Sequence, residues 1–221
     1  MKLFETHETP EIDATAPLAY RMSPRSLDEF VGQEHIIGEG KLLRRAIEAD
    51  RISSLILYGP PGTGKTALAR VIANTTKAEF KSLNATVARV EDLKHAIAEA
   101  KEMKKVIGKK TTLFLDEIHR FNKLQQDVLL PHVEDGSITL IGSTVENPFF
   151  YVNSALVSRS QIFELKPLSA EDIETIIKRA LSDNERGLGN FKVEMEADAF
   201  EHLANVSDGD ARKALNAIEI G

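Results

Sequence analysis

The chain has 221 residues, 42% of them apolar, with 28 basic against 34 acidic side chains and a formal charge of −6. That length allows one α/β core plus a smaller unit, and the charge gives no general basic footprint for nucleic acid. The absence of cysteine excludes a disulfide framework and any thiolate metal site, and no apolar run reaches the roughly 18 residues that a membrane-spanning helix needs.

Residues 1–17 are polar and acidic, with Glu5, Glu8, Glu11 and Asp13, and lack the apolar segment of a signal peptide. Residues 1–19 are expected to form a flexible tail, and the protein to be cytoplasmic. From residue 20 the pattern alternates in the α/β manner, with strands predicted at 55–58, 80–83, 112–115, 138–141 and 161–165. Several are almost continuously apolar, as buried parallel strands are. The first runs straight into Gly59-Pro60-Pro61-Gly62-Thr63-Gly64-Lys65-Thr66, and a helix follows from Ala67. In that setting backbone N–H groups wrap a polyphosphate, Lys65 reaches its outer oxygens and the Thr66 hydroxyl can hold Mg²⁺.

A helix with Leu93, Ala96, Ile97, Ala100 and Met103 on one face follows the second strand, whose end carries Asn84. That asparagine fits either a turn or a hydrogen bond to Glu117. The third strand ends in Asp116-Glu117. At the carboxyl end of a parallel strand both carboxylates face the phosphate crevice, Asp116 to hold Mg²⁺ and Glu117 to polarise the attacking water. Asn122 and Gln125 have capping-box spacing. Thr144 and Asn147, after the fourth strand, are candidates to position water or the γ-phosphate. Arg159 has no obvious partner in its own subunit; it fits a local helix cap or a finger entering a neighbour's site.

After Pro167 the texture becomes helical. Ser169 and Asp172 form a second capping box, Ile173, Ile176, Ile177, Ala180 and Leu181 share a stripe, and Gly187 is expected to end that helix. Phe200 and Leu203 mark another helix, and Asp208-Gly209-Asp210 leads into a third with Ala214, Leu215 and Ile218. The expected organisation is a tail at 1–19, an α/β nucleotide domain with a five-stranded parallel sheet at 20–167, and an all-helical lid at 168–221. Because the sequence stops just after the last helix, a longer natural protein is expected.

The Lys65 loop, Asp116-Glu117, Ser158-Arg159 and Gly209-Asp210-Ala211-Arg212 together resemble a P-loop AAA+ ATPase of the clamp-loader and Holliday-junction-motor branch. Leu27-Asp28-Glu29-Phe30-Val31-Gly32-Gln33-Glu34-His35, Asp116-Glu117-Ile118-His119-Arg120-Phe121-Asn122-Lys123, Gln125-Gln126-Asp127-Val128-Leu129-Leu130-Pro131 and Glu146-Asn147-Pro148-Phe149-Phe150 resemble the replication-associated recombination protein A family. The eukaryotic relative of that family is the Werner-helicase-interacting ATPase. The likeness runs from about residue 18 to the end.

This resemblance implies an ATPase with ATP and Mg²⁺, bound by residues 59–67, with Lys65 and Thr66 at the γ-phosphate and the metal. It implies Asp116 as metal-holding acid, Glu117 as base, Asn84 as the restraint on that base, Arg159 as the finger and Arg212 as the lid residue that senses the γ-phosphate. Met22, Val31 and Gly32 match the adenine-packing segment; His35 beside it reads as structural. His119 and Arg120 fit a relay to a DNA-facing or subunit-facing surface equally well as plain hydrogen bonding. The implied setting is a bacterial cytoplasmic, nucleoid-associated homo-oligomer that remodels DNA ends, gaps or forks beside replication proteins, with no membrane partner. The resemblance also implies a C-terminal oligomerisation region beyond the lid, which is expected to lie past residue 221.

One position departs from the family pattern: Val145 stands where relatives carry a threonine that contacts the γ-phosphate or the water. Losing one such donor costs about 2.7–4 kcal/mol in oxyanion sites, with Thr144 or Asn147 as candidate substitutes. A nucleotide-switched binding module with weak hydrolysis is therefore an alternative. A protein-remodelling motor is a third reading. The segment where such motors carry an aromatic pore loop has Lys101, Lys104, Lys105, Lys109 and Lys110 instead, which suit phosphate contacts or a solvated helix end.

Overall fold

A computed structural model describes residues 15–191 and 193–221. Most of the expected tail therefore lies outside the described residues. Its last part does not behave as a tail: Leu18 and Ala19 begin α1 (Leu18–Arg21), and Leu18 is fully buried against the carboxyl-terminal helices. The Leu18 N–H donates to Glu219 Oε1 at 2.7 Å, which ties the start of the described chain to its end.

Two short helices, α2 (Glu34–Ile37) and α3 (Leu42–Glu48), precede the sheet. The core then runs β1 (Leu55–Tyr58), α4 (Lys65–Thr75), β2 (Glu79–Asn84), α5 (Val90–Ile107), β3 (Thr111–Asp116) and a 3₁₀ turn at Ile118–Arg120. It continues with α6 (Lys123–Asp127), α7 (Leu130–Glu134), β4 (Thr139–Thr144), α8 (Pro148–Tyr151), α9 (Ser154–Arg159) and β5 (Gln161–Glu164). The five strands are parallel in the order β2-β3-β4-β1-β5. Successive side chains alternate between the two faces of the sheet. Leu55 and Leu57 join Leu68, Ile72, Phe80 and Phe114 on one face, and Ile56 joins Leu93, Leu113, Leu115 and Leu140 on the other.

The strand order places β4 between β1 and β3, so the residues that end β4 lie between the loop after β1 and the carboxylates after β3. β4 starts and ends later than expected, with Ile138 before it and Ser143 and Thr144 inside it. The Asn122 capping box is present in both directions, at 2.9 and 2.8 Å, but its helix ends at Asp127, and Pro131 opens α7 within one turn.

Beyond β5 come α10 (Ala170–Ser182), α11 (Ala197–Val206) and α12 (Ala211–Ile220), with a 3₁₀ turn at Gly189–Phe191. The Ser169 capping box closes at 3.1 and 3.0 Å. α10 ends at Ser182 rather than at Gly187. Gly187 instead packs on the Ala180 carbonyl, where an added Cβ would stand 2.1 Å from the oxygen. Leu168, Ile173, Ile177, Ala180, Ala214, Leu215 and Ile218 form a third hydrophobic cluster, which Leu18 completes. Among the described residues no helix is long and apolar enough to cross a membrane.

Candidate functional site

The loop after β1 owes its path to glycine. Gly62 and Gly64 have φ of 68° and 97°, in the left-handed region that side-chain-bearing residues rarely adopt. Contact also excludes side chains here: a Cβ on Gly64 would lie 2.7 Å from the Phe30 ring, and one on Gly62 would lie 1.8 Å from Asp210 Oδ1. The Ala211 N–H donates to the Gly62 carbonyl at 3.2 Å. The start of α12 therefore closes directly onto the loop.

Lys65 opens α4 and is only 9% exposed. Its Nζ donates to the carbonyls of Gly59 and Pro60, both at 2.7 Å. Burial depresses the lysine pKa; the carboxylates of Glu117 and Asp116 oppose that shift, and the Arg212 charge adds to it. A cation, two acids and the Arg212 side chain of α12 thus share one field.

A cavity of about 580 Å³ extends from this loop, within the range for small-molecule sites. Pro61, Gly62, Thr63, Gly64, Lys65, Thr66, Ala67, Asp116, Glu117 and Arg212 line it. Met22, Val31, Tyr20, Ile176 and Leu215 add apolar surface to the same lining. Gly32 does not line the cavity; it packs against Leu168, which does, and against Asp172. A lining with both polar groups and apolar side chains suits a triphosphate and a base respectively. Among the described residues no three His, Cys, Asp or Glu side chains gather as a metal cage. A Mg²⁺ here would take ligands from Thr66, Asp116 and phosphate oxygens, the sparse protein ligation that Mg²⁺ favours.

The carboxylates are held from β4. The Ser143 hydroxyl donates to Asp116 Oδ1, which also accepts the Glu117 N–H at 3.2 Å. Glu117 itself has φ 53° and ψ 44°, a left-handed conformation that costs a non-glycine residue roughly 1–3 kcal/mol. Its Oε2 lies 3.3 Å from His119 Nδ1, and that nitrogen is 2.8 Å from Thr144 Oγ1.

Several expected placements differ. Asn84 pairs with Asp116 in backbone register, but its Oδ1 accepts the Thr86 N–H at 2.8 Å, the turn role. No hydrogen bond joins it to Glu117, because the side chain turns back on its own loop. Arg159 does have a partner in its own chain: Nε donates to Glu134 Oε1 at 2.6 Å, and Nη1 donates to the Ala155 carbonyl. It is exposed at the end of α9 and does not line the cavity. Thr144 is buried with its hydroxyl on His119, and the Asn147 side chain caps α8 by accepting the Phe149 N–H at 3.0 Å. Neither lines the cavity, whereas Val145 does. His35 contacts the Glu164 carbonyl at 2.9 Å, and Arg120 is exposed.

Other residues shape the site with little signal in the sequence. Gln33 is buried with φ 62°; its amide donates to the carbonyls of Lys166 and Thr63 and accepts the Lys166 N–H at 3.0 Å. It joins the segment before the sheet to the loop after β1 and to the segment between β5 and α10. Tyr20 and Arg70 also line the cavity, with the guanidinium 4.9 Å from the ring centroid. A polar residue beside Gly32 was the only sequence signal for Gln33, and nothing in spacing marked the Tyr20–Arg70 pair.

The family model for the Holliday junction DNA helicase RuvB P-loop domain matches residues 22–148. Replication-associated recombination protein A of Escherichia coli strain K12 is 48% identical over 204 residues, covering 92% of this chain and 45% of that protein. The protein of the same name from Haemophilus influenzae is 47% identical over 204 residues, with 92% and 46% covered. The chain thus spans a little under half the length of these curated relatives. A solved structure of the Thermotoga maritima RuvB Holliday junction branch migration motor is similar at a TM-score of 0.70 and 30% identity, covering 90% of this chain and 64% of that one.

Proposed function

The chain belongs to the family of the Holliday junction DNA helicase RuvB P-loop domain, as an AAA+ domain of the replication-associated recombination protein A kind, and on that premise we propose that it hydrolyses ATP to drive remodelling of DNA ends, gaps or forks. The observation that carries the reading is that Lys65, Thr66, Asp116, Glu117 and Arg212 all line a single cavity, with the Glu117, Asp116 and Arg212 charges acting on Lys65. The working unit is a cytoplasmic homo-oligomer acting on the bacterial nucleoid beside replication proteins.

In this reading the loop N–H groups and Lys65 bind the triphosphate, Lys65 leaving its carbonyl partners to do so. Thr66 and Asp116 would hold Mg²⁺, which when bound would neutralise charge on the transferring phosphoryl group. Water attacks the γ-phosphorus as the bond to the β-phosphate bridging oxygen breaks; Glu117 accepts the proton, and ADP and phosphate leave. Arg212 brings the lid onto the γ-phosphate, using the contact that already joins Ala211 to Gly62.

DNA contact is the finer part of the proposal. Of the five lysines around the end of α5, Lys104 donates to the Gly136 carbonyl, Lys109 pairs with Glu79 and Lys110 pairs with Asp50. Lys101 and Lys105 stand exposed on α5. Phosphate release measured with single-stranded, duplex-end and forked DNA over a salt series tests this directly. Turnover is expected to rise with DNA, and the gain to fade as salt increases. Rates unchanged by every DNA would remove the DNA part. ATP binding without hydrolysis would favour the alternative of a nucleotide-switched binding module, for which Val145 in the cavity wall is the specific support.

Arg159 is proposed as a finger acting in trans, which requires it to exchange Glu134 for a neighbour's γ-phosphate. Arg159→Ala is expected to lower turnover in the assembled protein without changing ATP affinity. A mixture of Arg159→Ala and Glu117→Gln subunits, each poor alone, is expected to recover activity, because some interfaces then hold both intact groups. No gain on mixing would place Arg159 in its own subunit's structure only.

A further inference from the structure

We infer that His119 is the positioning residue for Glu117, linking the end of β4 to the carboxylate that activates water. This rests on the ATPase reading above. His119 lies two residues beyond Glu117 in the 3₁₀ turn, with its side chain mostly buried. Its Nδ1 stands between two oxygens, Thr144 Oγ1 at 2.8 Å and Glu117 Oε2 at 3.3 Å. A carboxylate beside a bare ring nitrogen would be repelled by its lone pair, so the proton belongs on Nδ1 and is shared between the two oxygens.

The hydroxyl that receives this N–H is itself fixed. Thr144 is fully buried in β4 and accepts the Glu146 N–H at 3.0 Å. The imidazole has a second wall in Tyr151 of α8, which meets it edge-on with centroids 6.4 Å apart. Thr144, Tyr151 and the turn together leave the ring little freedom, while the Glu117 side chain is held by only the longer of the two contacts. Such an arrangement aims the carboxylate and still lets it turn to water. Asn84, which the family resemblance put in this role, is turned toward Thr86, whose N–H its Oδ1 accepts, and makes no hydrogen bond to Glu117. The neighbouring residue of β4 does the same for the other acid, since Ser143 holds Asp116. Two consecutive hydroxyls on β4 thus position two consecutive carboxylates at the end of β3, the second through His119.

Single-turnover ATP hydrolysis with protein in excess, read beside ATP affinity and melting temperature, tests the inference. His119→Ala is expected to slow hydrolysis by about 10–100-fold, the usual cost of removing an orienting partner, with ATP affinity unchanged. His119→Asn is expected to restore much of the rate, because its Nδ2 can donate from near the position of the imidazole Nδ1. Thr144→Val is expected to slow hydrolysis by itself, and the Thr144→Val, His119→Ala double variant to be no slower than His119→Ala, as members of one path behave. Wild-type hydrolysis by His119→Ala, or a loss that follows melting temperature and that asparagine does not rescue, would overturn the inference and leave the ATPase reading intact. A wild-type protein that binds ATP and hydrolyses none would overturn both.

Discussion

Glu117→Gln is expected to keep the affinity for ATP and to lower turnover by about 10²–10⁴-fold, the range that a positioned general base contributes. The substitution preserves shape and removes only basicity. Glu117 lines the cavity, follows a buried strand and has its backbone fixed by the left-handed turn and by its N–H to Asp116, none of which depends on charge. Glutamine can present its carbonyl oxygen to His119 Nδ1–H, so the local hydrogen bonding survives. Lys65 loses one of the three carboxylates that favour its charged form, but Asp116 and Asp210 remain. The variant should therefore accumulate in an ATP-bound state. Fluorescent-nucleotide titration and phosphate release, measured on the same preparation, separate the two effects. Ordinary turnover by Glu117→Gln would exclude Glu117 as the base.

The parts of this site legible in sequence were those fixed by backbone chemistry. A loop with Gly62 and Gly64 at positive φ needs glycines at set spacing, and the buried parallel strands β1 and β3 need apolar runs. The capping boxes at Asn122 and Ser169 were equally readable, because both partners lie within one turn. Side-chain direction at the strand ends was not readable. Asn84 had two available partners, and its amide oxygen accepts from the nearer one, the backbone N–H of Thr86. Thr144 was expected to face phosphate, but β4 runs three residues further than its apolar run, and alternation along those extra residues turns the hydroxyl inward. Glu134, which pairs with Arg159, lies 25 residues before it and only the fold brings them together. Leu18 looked like tail because its partners, among them Ile173, Ile177 and Leu215, lie in the helices at the far end of the chain.

Replacing Lys65 is expected to abolish nucleotide binding while leaving the fold standing. A methionine of similar length fills the same space without charge. Two opposing terms decide stability. Removing a buried cation relieves desolvation, an exchange for an apolar residue that is often neutral or stabilising by about 1–4 kcal/mol. Against it stands the loss of two charged hydrogen bonds, to the Gly59 and Pro60 carbonyls, each typically about 1.5–3 kcal/mol. Pro60 is exposed, so water replaces the bond to its carbonyl and part of that loss is recovered by solvation. Lys65→Met without nucleotide is accordingly expected to melt within a few degrees of the wild type. With ATP and Mg²⁺ at about 100 times the dissociation constant, the wild type gains about 2.7 kcal/mol, a rise of roughly 5–10 °C for a domain of this size, and Lys65→Met gains none. Thermal melts of both proteins with and without nucleotide are the test. An undiminished nucleotide shift in Lys65→Met would remove the lysine from the phosphate site. A variant too unstable to purify would make its contacts to the loop carbonyls structural, and the depressed lysine pKa would then reflect burial alone rather than a charge held ready for the triphosphate.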